Sequence, residues 1–430
     1  MHEVGQEGRM TEFLGLIPSL PVSRRYRHWD KLRFLKPPPG MDHREWWLAL
    51  KLNRFSNYRQ IGLRDTGGKP FVFTTCDPIS EYLHDIDRSS ASLALRTDPI
   101  GNPSLNDRYI VHSLMEEAIT SSQLEGAATT RQVAKELIRS GRPPRDKSER
   151  MILNNYLAMK ELGHLEKDPL SPPMLLHLHR IVTSETLEIP LDAGRFRPAD
   201  RPIDVGHPFE QELVFHRPPP AGELDDRVYA MCAFANGESP KGFVHPIIRS
   251  IILHFWLAYD HPFVDGNGRT ARSLFYWSMR RHGYWLCEFI SISEIIRRAP
   301  ANYGRAFLFT ETDDNDLTYF ILYHLDLIRR AMESLKAYVD RKTKELRFVE
   351  RKMLAVSLLN HRQQAIVSHA LRHPDHRYTI GSHQTSHNVV YQTARTDLLD
   401  LAKRGLFQSW KVGREWQFQP VENLADRLRG

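Results

Sequence analysis

Hydrophobic positions recur at helical spacing along most of the chain. Ile110, Leu114 and Ala118 lie four residues apart, which places them on one face of a helix that Gly126 would end. The same spacing predicts further helices over residues 149–165, 247–258, 271–278, 302–309, 317–327 and 328–346. The first ninety or so residues mix short apolar stretches with proline-rich turns and predict a helical cover with loops. The pattern therefore predicts a mainly α-helical protein.

Residues 194–220 do not follow the helical spacing of hydrophobic positions. Prolines are frequent there, Ile203 and Val205 alternate with polar residues, and the run Val214–His216 precedes Arg217 and three prolines. Alternation followed by a proline stop predicts a short exposed β-hairpin.

The last eighty residues contain another kind of module. A helix over residues 364–371 is followed by a short strand at 378–380, two helices ending at Arg404 and Gly405, and two β-like runs at 406–410 and 415–418. That order predicts a winged helix-turn-helix domain. The chain is thus expected to comprise an N-terminal cover (1–105), a central domain (106–345, beginning with a helix at 108–126) and the winged helix (350–430).

Composition narrows the class of protein. The chain has 430 residues, of which 41% are hydrophobic and 26% charged, as in ordinary soluble proteins. No apolar run reaches the 18 or so residues of a membrane span. The N-terminus, with Glu3, Glu7 and Pro18, is a poor secretory signal, so a cytoplasmic location is expected without membrane contact.

Basic charge is concentrated near the C-terminus. Residues 351–430 contain 12 Lys+Arg against 6 Asp+Glu, which accounts for most of the net charge of +7. Such a module suits a nucleic acid, but a basic soluble domain without that role is equally compatible with the composition.

The segment HPFVDGNGRTAR, residues 261–272, joins two predicted helices and contains several residue types that catalytic and phosphate-binding sites use. Gly266 and Gly268 allow the backbone N–H groups to converge just before a helix begins, which makes an anion site. Arg269 and Arg272 are three residues apart on that helix, on a face opposite its apolar positions, and two guanidinium groups imply more than one phosphate.

Two further residues complete this segment. Asp265 offers a hard oxygen ligand beside the anion site, which suits Mg²⁺. His261 is the group whose pKa suits proton transfer near neutral pH. Each residue alone is compatible with a helix end, a turn and solvated arginines; a base, a metal ligand and an anion site within one loop favour catalysis on a phosphate compound.

The same segment resembles the Fic family signature HPFx[DE]GNGRxxR at all nine specified positions. The resemblance extends over roughly residues 108–330 and implies a Fic-type helical bundle with a short β-hairpin flap. Fic proteins transfer AMP from ATP to a Ser, Thr or Tyr hydroxyl of a target protein. The resemblance therefore implies an enzyme, a protein adenylyltransferase, with ATP as substrate and Mg²⁺ as cofactor.

Residue roles follow from the resemblance. His261 would deprotonate the acceptor hydroxyl, and Asp265 would hold Mg²⁺. The segment from Gly266 through Asn267 to Gly268 would bind phosphate, with Arg269 and Arg272 on the β- and γ-phosphates. Tyr303 is similar to the tyrosine on the adenine side, and a core tyrosine is an equal alternative. The flap near Val205–His216 would bind the target's main chain as an added strand.

Upstream, the sequence TSSQLEGA resembles the inhibitory motif [ST]xxxE[GN] of the family, with Ser121, Glu125 and Gly126 at its specified positions. By this resemblance Glu125 would pair with Arg272 and block productive ATP binding, and Ser121 would help to fix the helix. The pattern leaves open whether the protein also removes AMP from its targets.

In the predicted winged helix, Val390, Ala394, Leu398 and Leu401 would be buried on the helix over 388–404. The residues left to contact DNA are Tyr391, Gln392 and Arg395 on that helix and Lys411 and Arg414 at the wing tip. Contacts with protein alone are the alternative for such a module.

The sequence is compatible with two functions: a self-inhibited adenylyltransferase, and a DNA-binding regulator whose Fic core senses nucleotide. The intact His261 and Asp265 favour the enzyme, because a sensor needs no general base. The target, its acceptor residue and homo-oligomer formation stay open.

Overall fold

The computed structural model describes residues 26–94, 103–206, 214–355, 359–413 and 415–428. Its contacts divide the chain into two compact units. The first comprises residues 1–88 and 112–332, and the second comprises residues 89–111 and 333–430. The described residues are mainly helical, as the hydrophobic pattern predicted. Among them, no helix combines the length and the hydropathy that crossing a membrane would require.

The N-terminal part of the first unit contains helices α1 (Trp29–Leu32) and α2 (His43–Phe55) and a hairpin of β1 (Arg59–Arg64) and β2 (Pro70–Phe73). A capping box between Asp42 and Glu45 begins α2. The hairpin was not predicted from the sequence. Its signal is the alternation that buries residues 61, 63, 71 and 73.

Five helices follow: α3 (Asp77–Ala94), α4 (Pro103–Leu124), α5 (Arg131–Ser140), α6 (Lys147–Leu165) and α7 (Pro172–Thr183). Local chemistry sets where three of them begin. The side chains of Thr130, Asp146 and Ser171 each accept a hydrogen bond from the backbone N–H three residues later. The predicted helix over 149–165 is confirmed as α6, with two more residues at its start.

The centre of the first unit is the pair α9 (Pro246–Asp260) and α10 (Asn267–Arg281), preceded by α8 (Leu224–Ala235). Thirteen of the fifteen residues of α9 and twelve of the fifteen of α10 are buried. The loop between them is therefore held at both ends by the core, which restricts how its side chains can move.

The predicted hairpin is present as strands β3 (Val205–Gly206) and β4 (Val214–His216), which pair antiparallel with Val205 opposite His216. The intervening residues of the proposed flap, 207–213, lie outside the described residues.

Three helices complete this part of the chain: α11 (Ile292–Arg298), α12 (Pro300–Thr312) and α13 (Thr318–Ala355). Separate helices over 317–327 and 328–346 were predicted, and that division is wrong. Helix α13 runs unbroken for 38 residues because neither Leu327 nor Ile328, nor any residue near them, is a Gly or Pro that would end a helix.

The C-terminal unit includes α14 (His361–Arg372), β5 (Tyr378–Thr379), α15 (Ile380–His387), α16 (Tyr391–Lys403), β6 (Phe407–Val412), β7 (Glu415–Pro420) and α17 (Leu424–Arg427). The sheet order is β5-β7-β6. This is the order of elements expected from the sequence; its classification as a winged helix stays a prediction. Two details differ. Helix α16 begins at Tyr391, because Asn388 is the left-handed cap of α15, and Val390 is 68% exposed instead of buried.

Candidate functional site

Helix α9 ends at His261, which adopts a left-handed backbone conformation with φ of 45°. Its N–H donates to the Leu257 carbonyl, and the imidazole Nδ1 lies 3.3 Å from the Ala258 carbonyl oxygen. A carbonyl oxygen can only accept, so this contact assigns the ring proton to Nδ1. The other nitrogen, Nε2, is then the basic one.

Burial lowers the pKa of His261 to about 4, and the contact with the Ala258 carbonyl offsets this only in part. The imidazole is therefore neutral at physiological pH. A neutral imidazole whose Nε2 carries no proton can accept one, which is the state that general base chemistry requires.

The turn after His261 is braced by the side chain of Asn267. The Asn267 Oδ1 accepts from the Phe263 N–H at 3.0 Å, and Nδ2 donates to the Phe263 carbonyl at 2.8 Å. Both residues are buried. The amide thus braces the turn from within, through Oδ1 and one of the two N–H groups of Nδ2. Its help in binding phosphate stays a prediction.

Substituting Asn267 by alanine is expected to lower the free energy of unfolding by about 2–4 kcal/mol, since it leaves a buried N–H and a buried carbonyl of Phe263 unpaired. A urea titration followed by tryptophan fluorescence measures this. The matched control is Asn57→Ala, whose exposed side chain makes one long contact with the Asn53 carbonyl and should change stability by less than about 0.5 kcal/mol. Equal stability of the two variants would contradict the bracing role.

Helix α10 begins beside two glycines. Gly266 has φ of 85°, and a Cβ there would lie 2.6 Å from the Thr183 Cγ2. Thr270 is the first residue of α10 whose N–H donates a helical hydrogen bond, to the Gly266 carbonyl. The N–H groups at positions 267–269 have no partner within the helix, which is the arrangement that binds anions at helix N-termini.

The carboxylate of Glu125 covers this helix start. A Cβ added at Gly268 would overlap the Glu125 Oε1, so the carboxylate lies directly against the Gly268 backbone. The same oxygen accepts from the Arg272 Nη2 at 2.7 Å, in an ion pair whose arginine side chain is 3% exposed. The carboxylate thus occupies the place where an anion would meet both the helix start and Arg272.

Ser121 binds the same guanidinium. Arg272 donates from Nε to the Ser121 Oγ at 2.7 Å and from Nη2 to the Ser121 carbonyl at 3.0 Å. Burial opposes the charge of Arg272, but the Glu125 carboxylate, together with Tyr303 and Glu117, outweighs it and keeps the Arg272 pKa above its ordinary value. Gly126, with φ of 92°, turns the chain away just after α4 ends.

Asp265 and Arg269 are linked to each other. The Arg269 Nη2 lies 3.3 Å from the Asp265 Oδ1, and its Nη1 donates to the Val182 carbonyl at 3.0 Å. Arg269 was expected on the phosphate side of α10, opposite its apolar positions, and the structure buries it completely. The reason is that other elements pack against α10 on nearly every side, so its polar side chains are covered as well as its apolar ones.

The Asp265 side chain is 43% exposed. Within the described residues, no three His, Cys, Asp or Glu side chains are grouped so that they could hold a metal by themselves. Mg²⁺ does not need such a group, since it commonly takes one or two carboxylates and fills its other positions with water and substrate phosphates. One accessible carboxylate next to an anion site therefore fits Mg²⁺.

Tyr303 lies on α12, and its hydroxyl is 2.9 Å from the Nε2 of His254, a fully buried residue of α9. Its ring packs edge-on against Phe307. Burial raises the pKa of Tyr303, so the phenol stays protonated, while the nearby Arg272 acts in the opposite direction. A role beside adenine stays a prediction.

Three residues outside the recognised motifs also support the loop. His179 is buried, and its Nε2 lies 2.9 Å from the Asp265 carbonyl while its ring stacks on Phe263 with centroids 3.7 Å apart. Burial lowers its pKa to about 4. Arg197 donates from Nε to the His261 carbonyl at 2.9 Å. No local pattern marks these residues, because each acts across more than 60 positions of sequence.

The third is Glu117, on the helix that carries Ser121. Its buried carboxylate accepts from the Tyr276 hydroxyl at 3.0 Å and from the Ser291 hydroxyl at 2.8 Å. These contacts attach α4 to α10 and to the start of α11, and they hold Glu125 in register with Arg272.

The residues proposed for DNA contact lie in the second unit. Tyr391 and Gln392 are exposed in the first turn of α16, and Arg395 is half-buried one turn later. Lys411 is exposed near the end of β6, with its ammonium 5.1 Å from the Trp416 ring. Arg414 lies outside the described residues.

Comparison with known proteins finds similarity over the part of the chain that contains this loop. The Fic/DOC family model matches residues 169–279. The protein adenylyltransferase Fic of Nematostella vectensis is 27% identical over 183 residues, which cover 42% of this chain and 40% of that protein. The Drosophila virilis protein of the same name is 33% identical over 135 residues, or 31% and 25% of the two chains. The chain thus spans two-fifths or less of the length of these relatives.

Among solved structures, the crystal structure of a Fic family protein from Desulfovibrio desulfuricans G20 is similar with a TM-score of 0.56. The match covers 81% of this chain and 97% of the other at 16% identity, so it bears on the fold alone. The structural similarity agrees with the predicted helical bundle, and the match to the Fic/DOC family model lies within it, at residues 169–279.

Proposed function

We propose that this protein is a protein adenylyltransferase that transfers AMP from ATP to a Ser, Thr or Tyr hydroxyl of a target protein. One observation carries the proposal: a neutral imidazole, His261, directly follows a core helix and lies in the same loop as the N–H groups at the start of α10, which Glu125 covers. The matched relatives are named as adenylyltransferases, which supports the same activity.

In the proposed reaction the acceptor hydroxyl oxygen attacks the α-phosphorus of ATP, and the bond from that phosphorus to the β-bridging oxygen breaks. His261 Nε2 takes the hydroxyl proton, and pyrophosphate leaves. Asp265 would hold Mg²⁺, which when bound neutralises charge on the phosphates. The N–H groups at the start of α10 would bind phosphate oxygens, so the transfer depends mainly on alignment and charge.

The two arginines have different tasks in this proposal. Arg272 would grip the terminal phosphates once Glu125 is absent, because its guanidinium is already aimed at the helix start. Arg269 would act from beneath the loop, where it holds the Asp265 carboxylate and the Val182 carbonyl. Tyr303 would lie on the adenine side.

Self-inhibition belongs to the same proposal. Glu125 takes the position of an anion at Gly268 and satisfies Arg272, so ATP phosphates would have to displace it. Ser121 and Gly126 fix where the helix ends. The same carboxylate could instead orient a water for removal of AMP from a modified target, which would make the protein bifunctional.

The target would dock at the flap. Strand β4 is anchored through His216, whose ring nitrogens lie 2.7 Å from the Tyr259 carbonyl and 3.0 Å from a Glu311 oxygen. An extended target segment adding to this hairpin would bring its hydroxyl toward His261. In this proposal the catalytic part corresponds to residues 106–345, and ATP supply is consistent with a cytoplasmic setting.

The direct test is to incubate the Glu125→Gly variant with labelled ATP, Mg²⁺ and cell lysate, followed by mass spectrometry for an added adenylyl group. Label on a lysate protein, or on the chain itself, supports the proposal. Omission of Mg²⁺ should remove the label. An absence of any label at saturating ATP would contradict it.

A second candidate function is DNA binding by the C-terminal unit, favoured by the exposed polar start of α16 and by Lys411. The Lys411→Glu variant of the full chain is expected to bind random duplex DNA several-fold more weakly, because a phosphate contact becomes a repulsion. Fluorescence anisotropy at low salt measures this, with Lys167→Glu, an exposed lysine of the first unit, as control. Binding that does not weaken with added salt would contradict this function.

A further inference from the structure

The first unit contains a cavity of about 560 Å³ that the Fic loop does not use. It lies between residues 26–31, the start of α3, helix α12 and helix α13. Asn302, Arg305, Ala306 and Phe309 of α12 line it, and these positions recur at helical spacing on one face. Tyr303 is not among the lining residues; its hydroxyl contacts His254 instead. Neither Glu125 nor any residue of the loop 261–272 lines it, so the cavity is separate from that site. Its volume is that of a small-ligand pocket.

Aromatic rings form much of the cavity wall. Tyr82, Phe309 and Tyr323 contribute from three different helices. On one side, the His28 ring stacks on Phe309 with centroids 4.3 Å apart and planes 10° from parallel. Burial lowers the pKa of His28, so this ring is neutral near pH 7. Such a wall suits a flat ring, which can stack on these faces with little loss of conformational freedom.

The same cavity is strongly basic. Four cationic residues line it, namely Arg27, Lys31, Arg305 and Arg330, against the single carboxylate of Asp326. That carboxylate pairs with Arg330, one of the four, at 2.5 Å and with Arg329 at 2.8 Å, so Arg27, Lys31 and Arg305 are the lining cations that it does not offset. The excess positive charge at the rim therefore suits an anionic group.

The floor of the cavity is held in place before any ligand binds. The Tyr26 and Tyr319 rings meet edge to face with centroids 5.0 Å apart, and the Arg54 guanidinium lies 3.6 Å from the centroid of Tyr26. The Tyr319 hydroxyl donates to the Asp313 carboxylate at 2.7 Å. A pocket ordered in advance loses little further entropy when a ligand enters.

We propose that this cavity binds a ligand that joins a planar heteroaromatic ring to a phosphate, of the size of a mononucleotide. The ring would stack among Tyr82, Phe309 and Tyr323, and the phosphate would face Lys31 and Arg305. Neither feature alone selects this class: the aromatic wall accepts any flat ring, and the basic rim accepts any anion. Their combination within one cavity selects a molecule that carries both.

The test uses the full chain and fluorescent mant-AMP without Mg²⁺, followed by anisotropy. The Lys31→Glu/Arg305→Glu variant is expected to bind the probe at least about tenfold more weakly, because two attractions become repulsions. Lys167→Glu, an equally exposed charge reversal away from the cavity, should bind like the parent chain. Glu125 is kept in every variant, because it covers the start of α10 and so limits binding of the probe at the Fic loop. An unchanged thermal midpoint verifies that the double variant is folded.

Competition and photolabelling decide the remaining points. AMP should displace the probe at lower concentration than adenosine or inorganic phosphate; equal competition by phosphate would overturn ring recognition, and equal competition by adenosine would overturn phosphate recognition. Photolabelling with 8-azido-AMP should mark peptides that contain Tyr82 or residues 26–31. Labelling confined to the peptide with His261, or full affinity in the double variant, would overturn the proposal.

Discussion

Replacing His261 by alanine is expected to reduce the rate of AMP transfer by about 10²- to 10⁴-fold, the range that a positioned general base contributes. The imidazole is fixed by the Ala258 carbonyl at Nδ1, and the Arg197 guanidinium holds the carbonyl of His261 itself. Alanine keeps the backbone and the phosphate site but removes the acceptor for the hydroxyl proton. The rate is measured with labelled ATP in the Glu125→Gly background, where inhibition does not mask the loss.

The pH profile gives an independent check on the same residue. Only the neutral imidazole can accept a proton, and the His261 pKa is lowered to about 4. The transfer rate should therefore rise with pH through this value and be level between about pH 6 and 8, since the base is already deprotonated there. The control His164→Ala removes an 81% exposed ring and should leave the rate unchanged. A His261→Ala rate within twofold of the parent would contradict the general-base role.

The parts of the site that the sequence could predict are those built from neighbouring residues. His261, Asp265 and the glycines follow one another in a single turn, so their proximity needs no knowledge of the fold. The pairing of Glu125 with Arg272 spans 147 positions, and only the family resemblance indicated it. The helical periodicity likewise predicted α9 and α10, because apolar spacing is a local property.

What the sequence missed depends on contacts between distant segments. Asn267 was expected to help at the anion site, and its bracing of the Phe263 backbone was not predicted. Arg269 was expected opposite the apolar positions of its helix, and its complete burial by neighbouring elements was not predicted. In both cases the residue type left the direction of the side chain open, and tertiary packing determined it.

The boundaries of elements were missed for a related reason. Leu327 and Ile328 lie within one continuous helix, because a change in local composition without a Gly or Pro does not end a helix. The strands at residues 59–64 and 70–73 fall within the predicted helical cover with loops, and they were missed because each is short and flanked by polar turns. Short strands gain their stability from the partner strand, which a local pattern does not include.

Replacing Glu125 by glycine is expected to raise AMP transfer several-fold. Its carboxylate lies against the Gly268 backbone and binds Arg272 at 2.7 Å, so it competes with the ATP phosphates for two donors at once. Removing it frees both without touching His261 or Asp265. Initial rates at several ATP concentrations measure the effect. The control Glu188→Gly removes an exposed carboxylate from a loop elsewhere in the first unit and should leave the rate unchanged.

Glu125→Gln separates the two ways in which this carboxylate can inhibit. Glutamine fills nearly the same volume but carries no charge, so its remaining hold on Arg272 is a weaker neutral hydrogen bond. If the ion pair dominates, the glutamine variant should approach the rate of the glycine variant; if occupation of the space at Gly268 dominates, it should stay near the parent. A glycine variant no faster than the parent would contradict inhibition by Glu125. Because His261→Ala should silence even the glycine variant, any label that persists in the double variant comes from chemistry outside this loop.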